Sequence, residues 1–199
     1  MLIMNENDGE KEIELAKQPR IPLITREAAS EEQRRVGDFI FEKRNEEYAG
    51  PSAILLHVPQ LAEQFELMRE HIRAAGLPQD LMQLATLVIA RHWSVDYVWH
   101  VRVGLAEKAG IGAEIIGAIR NLQRPKFVSA AQEAIYVYTS ELLGPTGVTD
   151  VAHQAVRKVL GSDALVIELT ALVGLYTMLA LQGRAADIAA QAGSVPLPK

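Results

Sequence analysis

Polar side chains that could do chemistry are concentrated in the apolar stretch from Leu81 to Gly110. Spacing of three or four residues predicts that one face of a single long helix carries Gln83, Leu87, Arg91, Ser94, Val98 and Arg102. An adjoining face would carry His92, Asp96 and His100 at four-residue steps. Because burying a charge costs free energy unless the group is paired, these side chains must bind one another, bind a neighbouring helix or line a pocket.

Arg102 and His100 are the first candidates for a reaction site. A guanidinium is always charged and offers a bidentate fork, so Arg102 suits the binding of a carboxylate or an enolate. The alternative for Arg102 is a structural ion pair with Glu107 or with an acid of a neighbouring helix. An ordinary pKa of about 6.5 would let His100 act as an acid or a base near neutrality. The alternative for His100 is a core or interface histidine.

The face of His92, Asp96 and His100 could also supply metal ligands. On one straight helix the first and third lie about 12 Å apart along the axis, too far to converge on one ion. We therefore predict no metal site and interpret Asp96 as a group that orients a histidine. Arg91 needs an acidic partner, for which Glu168 is the natural candidate, either as a structural pair or at a site.

Composition excludes several classes of function. The 199 residues include no cysteine, which excludes disulfides, thiolate metal sites and thiol redox catalysis. A net charge of −5 without a cluster of basic residues argues against nucleic acid as a partner. The apolar stretch from Ala164 to Leu181 is about as long as the shortest spanning helices of ~17 residues, but Glu168 lies near its start. We expect no membrane partner and a cytoplasmic protein.

The order of helix signals predicts an all-α protein, because no stretch alternates with a period of two. A capping box at Ser30 opens one helix, and glycine and proline separate those that follow. We expect a flexible leader over residues 1–18, a single helical domain over 19–190 and a C-terminal arm over 191–199. The stretch 81–87 has a weak echo in 166–172, which either two duplicated helical halves or chance would explain.

Several of these motifs together resemble the carboxymuconolactone decarboxylase family, within the superfamily that contains the alkylhydroperoxidase D-type (AhpD) proteins. The resemblance covers about residues 19–185. Its most specific part is Ala90-Arg91-His92-Trp93 followed by Tyr97-x-Trp99. Its other parts are Leu55-Leu56-His57-x-Pro59, Leu105-Ala106-x-Lys108-Ala109-Gly110, Arg124-Pro125, Gln132-Glu133-Ala134 and Leu172-Val173-Gly174-x-Tyr176.

The resemblance implies an all-helical subunit that assembles into a homotrimer or homohexamer with sites near subunit interfaces. Decarboxylase members act on a small lactone substrate without a cofactor, and D-type members use a Cys-x-x-Cys pair. The redox positions fall at Val95 and Val98, which excludes thiol peroxidase activity. Relatives also commonly carry glutamate at the positions of Gln83 and Val98 and histidine at that of Arg102, so the ancestral mechanism does not carry over intact.

Two functions follow as hypotheses. In the first, a cofactor-free enzyme acts on a small anionic lactone or carboxylate by proton transfer, decarboxylation or ring opening. Its catalytic residues would be Arg102, His100 and His92. Its substrate-binding residues would be Gln83, Arg91, Tyr97, Trp99, His57 and Tyr176. In the second, a non-catalytic small-molecule-binding or assembly protein kept the fold. Two or more titratable side chains facing one pocket would favour the enzyme.

Overall fold

The computed structural model describes residues 19–42, 47–189 and 194–199. The leader predicted over residues 1–18 lies outside these ranges. The described residues form helices and no strands, which confirms the all-α prediction. The helices are α1 Glu31–Phe41, α2 Gly50–Leu55, α3 Pro59–Ala74, α4 Gln79–His92, α5 Asp96–Lys108, α6 Ala113–Arg120, α7 Ala130–Leu143, α8 Asp150–Leu160 and α9 Asp163–Ala186.

Side-chain caps fix where several helices begin. The Ser30 hydroxyl accepts from Gln33 N while the Gln33 side chain accepts from Ser30 N, which is the predicted capping box. The hydroxyls of Ser129, Thr149 and Ser162 cap α7, α8 and α9 by accepting from the backbone N–H three residues further on. These short-range signals explain why the helix order could be predicted from the sequence.

The central helices are α4 and α9. α4 packs against α5, α6, α7 and α9, and α9 also contacts α2, α3, α5 and α8. By length and composition α9 could cross a membrane, since it spans 24 apolar-rich residues. Its side chains Leu169, Leu172 and Tyr176 instead lie in the core of the helical fold. The two similar stretches, 81–87 and 166–172, thus lie near the beginnings of the core helices α4 and α9.

The prediction of one long helix over 81–110 is wrong. α4 ends at His92 and α5 begins at Asp96, because Ser94 takes a left-handed conformation with φ 49°. The guanidinium of Arg91 stabilises this corner by donating to Ser94 Oγ at 2.7 Å and to the Arg120 carbonyl at 2.7 Å. The two polar faces predicted for the long helix are therefore divided between two helices.

The C-terminal residues pack on the same corner. Leu197 is buried, and its N–H donates to Asp96 Oδ1 at 2.7 Å. Arg91 Nη2 donates to the Pro198 carbonyl at 3.0 Å. The predicted C-terminal arm thus stabilises the α4–α5 junction over its described residues.

Candidate functional site

A cavity of ≈ 430 Å³ lies where α1, α2, α3, α5 and α9 meet. Its volume is within the range of about 300–1,000 Å³ that is typical of small-molecule sites. Most of its wall is apolar and consists of Phe41, Ala49, Pro51, Val98, Val101 and Leu179. The polar part consists of Glu47, Ser52, Arg69, Tyr97 and Arg102.

Among the residues predicted for the site, Arg102 is a buried, charged residue that lines the cavity. It is 7% exposed, and its guanidinium carbon lies 4.6 Å from the centre of the Tyr176 ring. Its Nε is buried and has no hydrogen-bond partner among the described residues. No described carboxylate forms an ion pair with it, so the alternative of a Glu107 pair is wrong. A cation held in a cavity wall with unused donors is suited to an anionic ligand.

Tyr97 and Tyr176 are positioned with Arg102. The Tyr97 ring packs directly over Gly50, where a Cβ atom would come within 2.3 Å of the ring. Gly50 has φ 62°, so glycine suits both the backbone and the ring at this position. Tyr176 is 3% exposed, and its ring makes a cation–π contact with the guanidinium of Arg102. Tyr97 is thus a wall residue and Tyr176 a support for Arg102.

The two histidines predicted to be catalytic lie away from this cavity. On α5 the cavity wall uses positions 97, 98, 101 and 102, and His100 is not among them. The His100 Nδ1 atom is buried without a partner among the described residues. His92 is exposed and borders a smaller cavity of ≈ 140 Å³ beside Tyr136 and Ser140. The helix break at Ser94 accounts for this separation of His92 from Arg102.

The environment of His92 disfavours its charged form. Desolvation, followed by the positive charge of Arg184, lowers the pKa of His92 below its ordinary value. Its ring contacts Trp93 edge-on with centres 4.9 Å apart. His92 is therefore neutral over more of the physiological pH range than a free histidine.

The remaining residues predicted to bind substrate contact other parts of the protein. His57 Nε2 lies 2.8 Å from the Pro22 carbonyl oxygen. Trp99 is 2% exposed in the core and does not line the cavity. Gln83 is buried, and its Oε1 lies 3.3 Å from the Thr86 hydroxyl. None of these three side chains lines the cavity, so their contacts stabilise the fold.

Arg91 has a different partner from the one predicted. It binds the carbonyls of Arg120 and Pro198, whereas Glu168 Oε1 lies 2.8 Å from His71 Nε2. The prediction of an Arg91–Glu168 pair is therefore wrong. These carbonyls lie at the end of α6 and near the C-terminus, so the spacing of residues around Arg91 did not reveal them.

No metal cluster is formed by the described parts of the chain, in which no three His, Asp or Glu side chains come together as ligands. The predicted role of Asp96 in orienting a histidine is wrong, because Asp96 Oδ1 accepts from the Leu197 N–H.

Arg69 is a buried, charged wall residue that the sequence patterns did not indicate. It comes from α3, is 4% exposed and forms an ion pair with Glu66, which is 3% exposed. An i, i+3 pair of opposite charges is ordinarily a solvated surface feature, so its spacing gave no sign of burial. The apolar neighbours Phe65 and Ile72 on the same helix were the available signal.

Comparison with known proteins identifies the fold. No protein-family model matches the sequence, and no curated protein matches it either. The solved structure of the debrominase Bmp8 without ligand has a TM-score of 0.70 at 16% identity, covering 86% of this chain and 92% of that one. A cysteine-to-alanine variant of Bmp8 in complex with 2,3,4-tribromopyrrole gives 0.71 at 15% identity, covering 89% and 94%.

A third similar structure is a protein of unknown function from Agrobacterium tumefaciens, a candidate antioxidant defence protein AhpD. It has a TM-score of 0.63 at 13% identity and covers 69% of this chain and 95% of that one. At these identities the likeness establishes the fold alone. The chain has the all-helical AhpD-like fold.

Proposed function

We propose that this chain is a carboxymuconolactone decarboxylase-like enzyme that binds a small anionic, oxygenated molecule in the cavity between α1, α2, α3, α5 and α9. The observation that supports this most is the buried guanidinium of Arg102, whose Nε has no partner among the described residues. The structural neighbour Bmp8, a debrominase, in complex with the small ring compound 2,3,4-tribromopyrrole supports the proposal of a small-molecule site.

The chemistry fits the position of Arg102. Loss of carbon dioxide or opening of a lactone builds negative charge on an oxygen. A fixed guanidinium in a poorly solvated wall stabilises such a charge without having to reorganise. The apolar remainder of the wall would exclude water from the reacting centre. No cofactor is needed for this role of Arg102.

The proton would come from a wall residue. Tyr97 lines the cavity and neither His92 nor His100 does, so we propose Tyr97 as the proton donor. When the C–C bond to the carboxylate breaks and carbon dioxide leaves, Tyr97 would donate its proton, directly or through a water molecule, to the carbon that keeps the electron pair, and solvent would then reprotonate the phenolate.

A second candidate function is non-catalytic binding of the same kind of anion. It is favoured by the absence of any imidazole from the part of the wall that is described. The two candidates differ in turnover, since only the enzyme converts a bound lactone carboxylate into a product.

We also propose that the chain assembles into a homotrimer or homohexamer in the cytoplasm. Exposed apolar side chains on and before α3 support self-association: Val58 is 50% exposed, Leu61 41% and Met68 52%.

Binding of a charged ligand and its neutral analogue tests the proposal. Isothermal titration calorimetry would compare 5-oxotetrahydrofuran-2-carboxylate with its methyl ester. We expect the wild type to bind the acid about 10- to 100-fold more tightly than the ester, since a charge-assisted hydrogen bond contributes about 1.5–3 kcal/mol. The variant Arg102→Met should lose this preference, whereas Arg120→Met, on α6, should keep it. Equal binding of acid and ester by the wild type would contradict the proposal.

A further inference from the structure

We infer that the cavity holds the oxyanion of its ligand between two guanidinium groups, Arg102 from α5 and Arg69 from α3, and that Glu66 positions Arg69. This inference rests on the proposed function and extends it to a residue outside the motifs of the sequence. The ligand group would be a planar carboxylate or an enolate, whose oxygens can accept from both arginines.

Arg69 has donors to spare. A guanidinium carries five N–H donors, and Arg69 uses Nη2 to bind Glu66 Oε1. Its Nε is buried without a hydrogen-bond partner among the described residues. The side chain is 5% exposed, so bulk water reaches little of it. Because unsatisfied buried donors cost free energy, an acceptor inside the cavity would stabilise this side chain.

Arg102 presents its donors to the same space. Its guanidinium carbon lies over the Tyr176 ring, 4.6 Å from the ring centre. Its buried Nε has no hydrogen-bond partner among the described residues and so can donate to a ligand. Two arginines from different helices thus converge on one cavity, each with a buried Nε that lacks a partner in the described chain.

The charges at the cavity favour an anion. Among the described residues, the buried charged groups in the wall or directly behind it are Arg69, Arg102 and Glu66, which sum to one positive charge. Glu47 also lines the cavity, but it is exposed, so water screens its charge. An anion bound between the guanidinium groups would balance the excess charge where the medium is least polar.

Glu66 acts as a positioning residue in this arrangement. It lies one helical turn before Arg69 and is 3% exposed. Its carboxylate accepts from Nη2 and so fixes one end of the Arg69 guanidinium. The other donors then stay in a fixed orientation, which reduces the entropy lost when a ligand binds.

Ligand binding by variants of Glu66 and Arg69 tests the inference. The double variant Glu66→Gln/Arg69→Met removes both charges of the buried Glu66–Arg69 ion pair. We expect it to bind 5-oxotetrahydrofuran-2-carboxylate about 10- to 100-fold more weakly than the wild type, with the methyl ester unaffected. Arg69→Lys, which keeps the charge without the planar fork, should show a smaller loss. Arg35→Met, at an exposed ion pair of α1, is the control and should bind both ligands as the wild type does.

The outcomes separate this inference from the proposed function. If Arg102→Met loses the acid while the double variant and Arg69→Lys bind it as the wild type does, Arg69 has no part in binding and the inference fails alone. If the wild type does not distinguish acid from ester, the proposed function itself fails. Thermal unfolding followed by circular dichroism verifies that each variant is folded. Should the double variant not fold, the loss or retention of binding in Arg69→Lys decides the question.

Discussion

Replacing Glu66 with leucine is expected to lower the free energy of unfolding by about 3–5 kcal/mol, because it leaves the guanidinium of Arg69 buried without its counter-ion. Both side chains are nearly inaccessible, with 5% of the Arg69 side chain and 3% of the Glu66 side chain exposed. Urea denaturation followed by circular dichroism measures the loss. The double variant Glu66→Leu/Arg69→Met should recover most of it, since an apolar pair can replace a buried ion pair at little cost.

The control for this prediction is an ion pair outside the core. Arg35 and Glu63 form a comparable contact at 2.8 Å, but their side chains are 57% and 31% exposed. Glu63→Leu should therefore change stability little, because water solvates Arg35 once its partner is gone. An equal loss for Glu63→Leu and Glu66→Leu would contradict the burial of the Glu66–Arg69 pair.

Replacing Gly50 with alanine is expected to cost about 2–5 kcal/mol, combining left-handed backbone strain with overpacking. The residue has φ 62°, and an added Cβ would lie 2.3 Å from Tyr97 Cε1. Because the Tyr97 ring must move, the ligand cavity should change with it, and binding of the lactone carboxylate should weaken as well. Denaturation and calorimetry on the same variant measure both effects.

Gly147 separates the two contributions to the Gly50 effect. It also has a positive φ, 76°, but nothing lies within 4 Å of its Cβ position. Gly147→Ala should cost about 1–2 kcal/mol from backbone strain alone and leave ligand binding unchanged. If Gly50→Ala cost no more than Gly147→Ala, the close packing of Tyr97 on Gly50 would be wrong.

Most of the fold could be predicted because its signals are local. Capping residues such as Ser30 and Thr149, and stops such as Gly161, act within a few residues of the helix ends that they define. The break at Ser94 could not be predicted in this way. Serine has no strong preference for a left-handed backbone, and the contacts that stabilise the corner come from the distant carbonyls of Arg120 and Pro198.

The candidate site was predicted only in part for the same reason. Arg102, Tyr97 and Tyr176 were singled out from motif positions in two helices that converge in the fold. The prediction for His92 required one helix to continue through Ser94. Because the helix breaks there, His92 lies beside the smaller cavity. Arg69 belongs to a third helix, and its convergence with Arg102 is a tertiary contact that spacing along the chain cannot show.

The most direct test of an anion site at the buried arginines is a crystal structure of the protein soaked with 5-oxotetrahydrofuran-2-carboxylate. We expect the carboxylate in the cavity of α1, α2, α3, α5 and α9, with its oxygens about 2.8 Å from guanidinium nitrogens of Arg102 and Arg69. Ligand bound only in the smaller cavity beside His92, or a cavity that stays empty at a saturating concentration, would contradict that assignment.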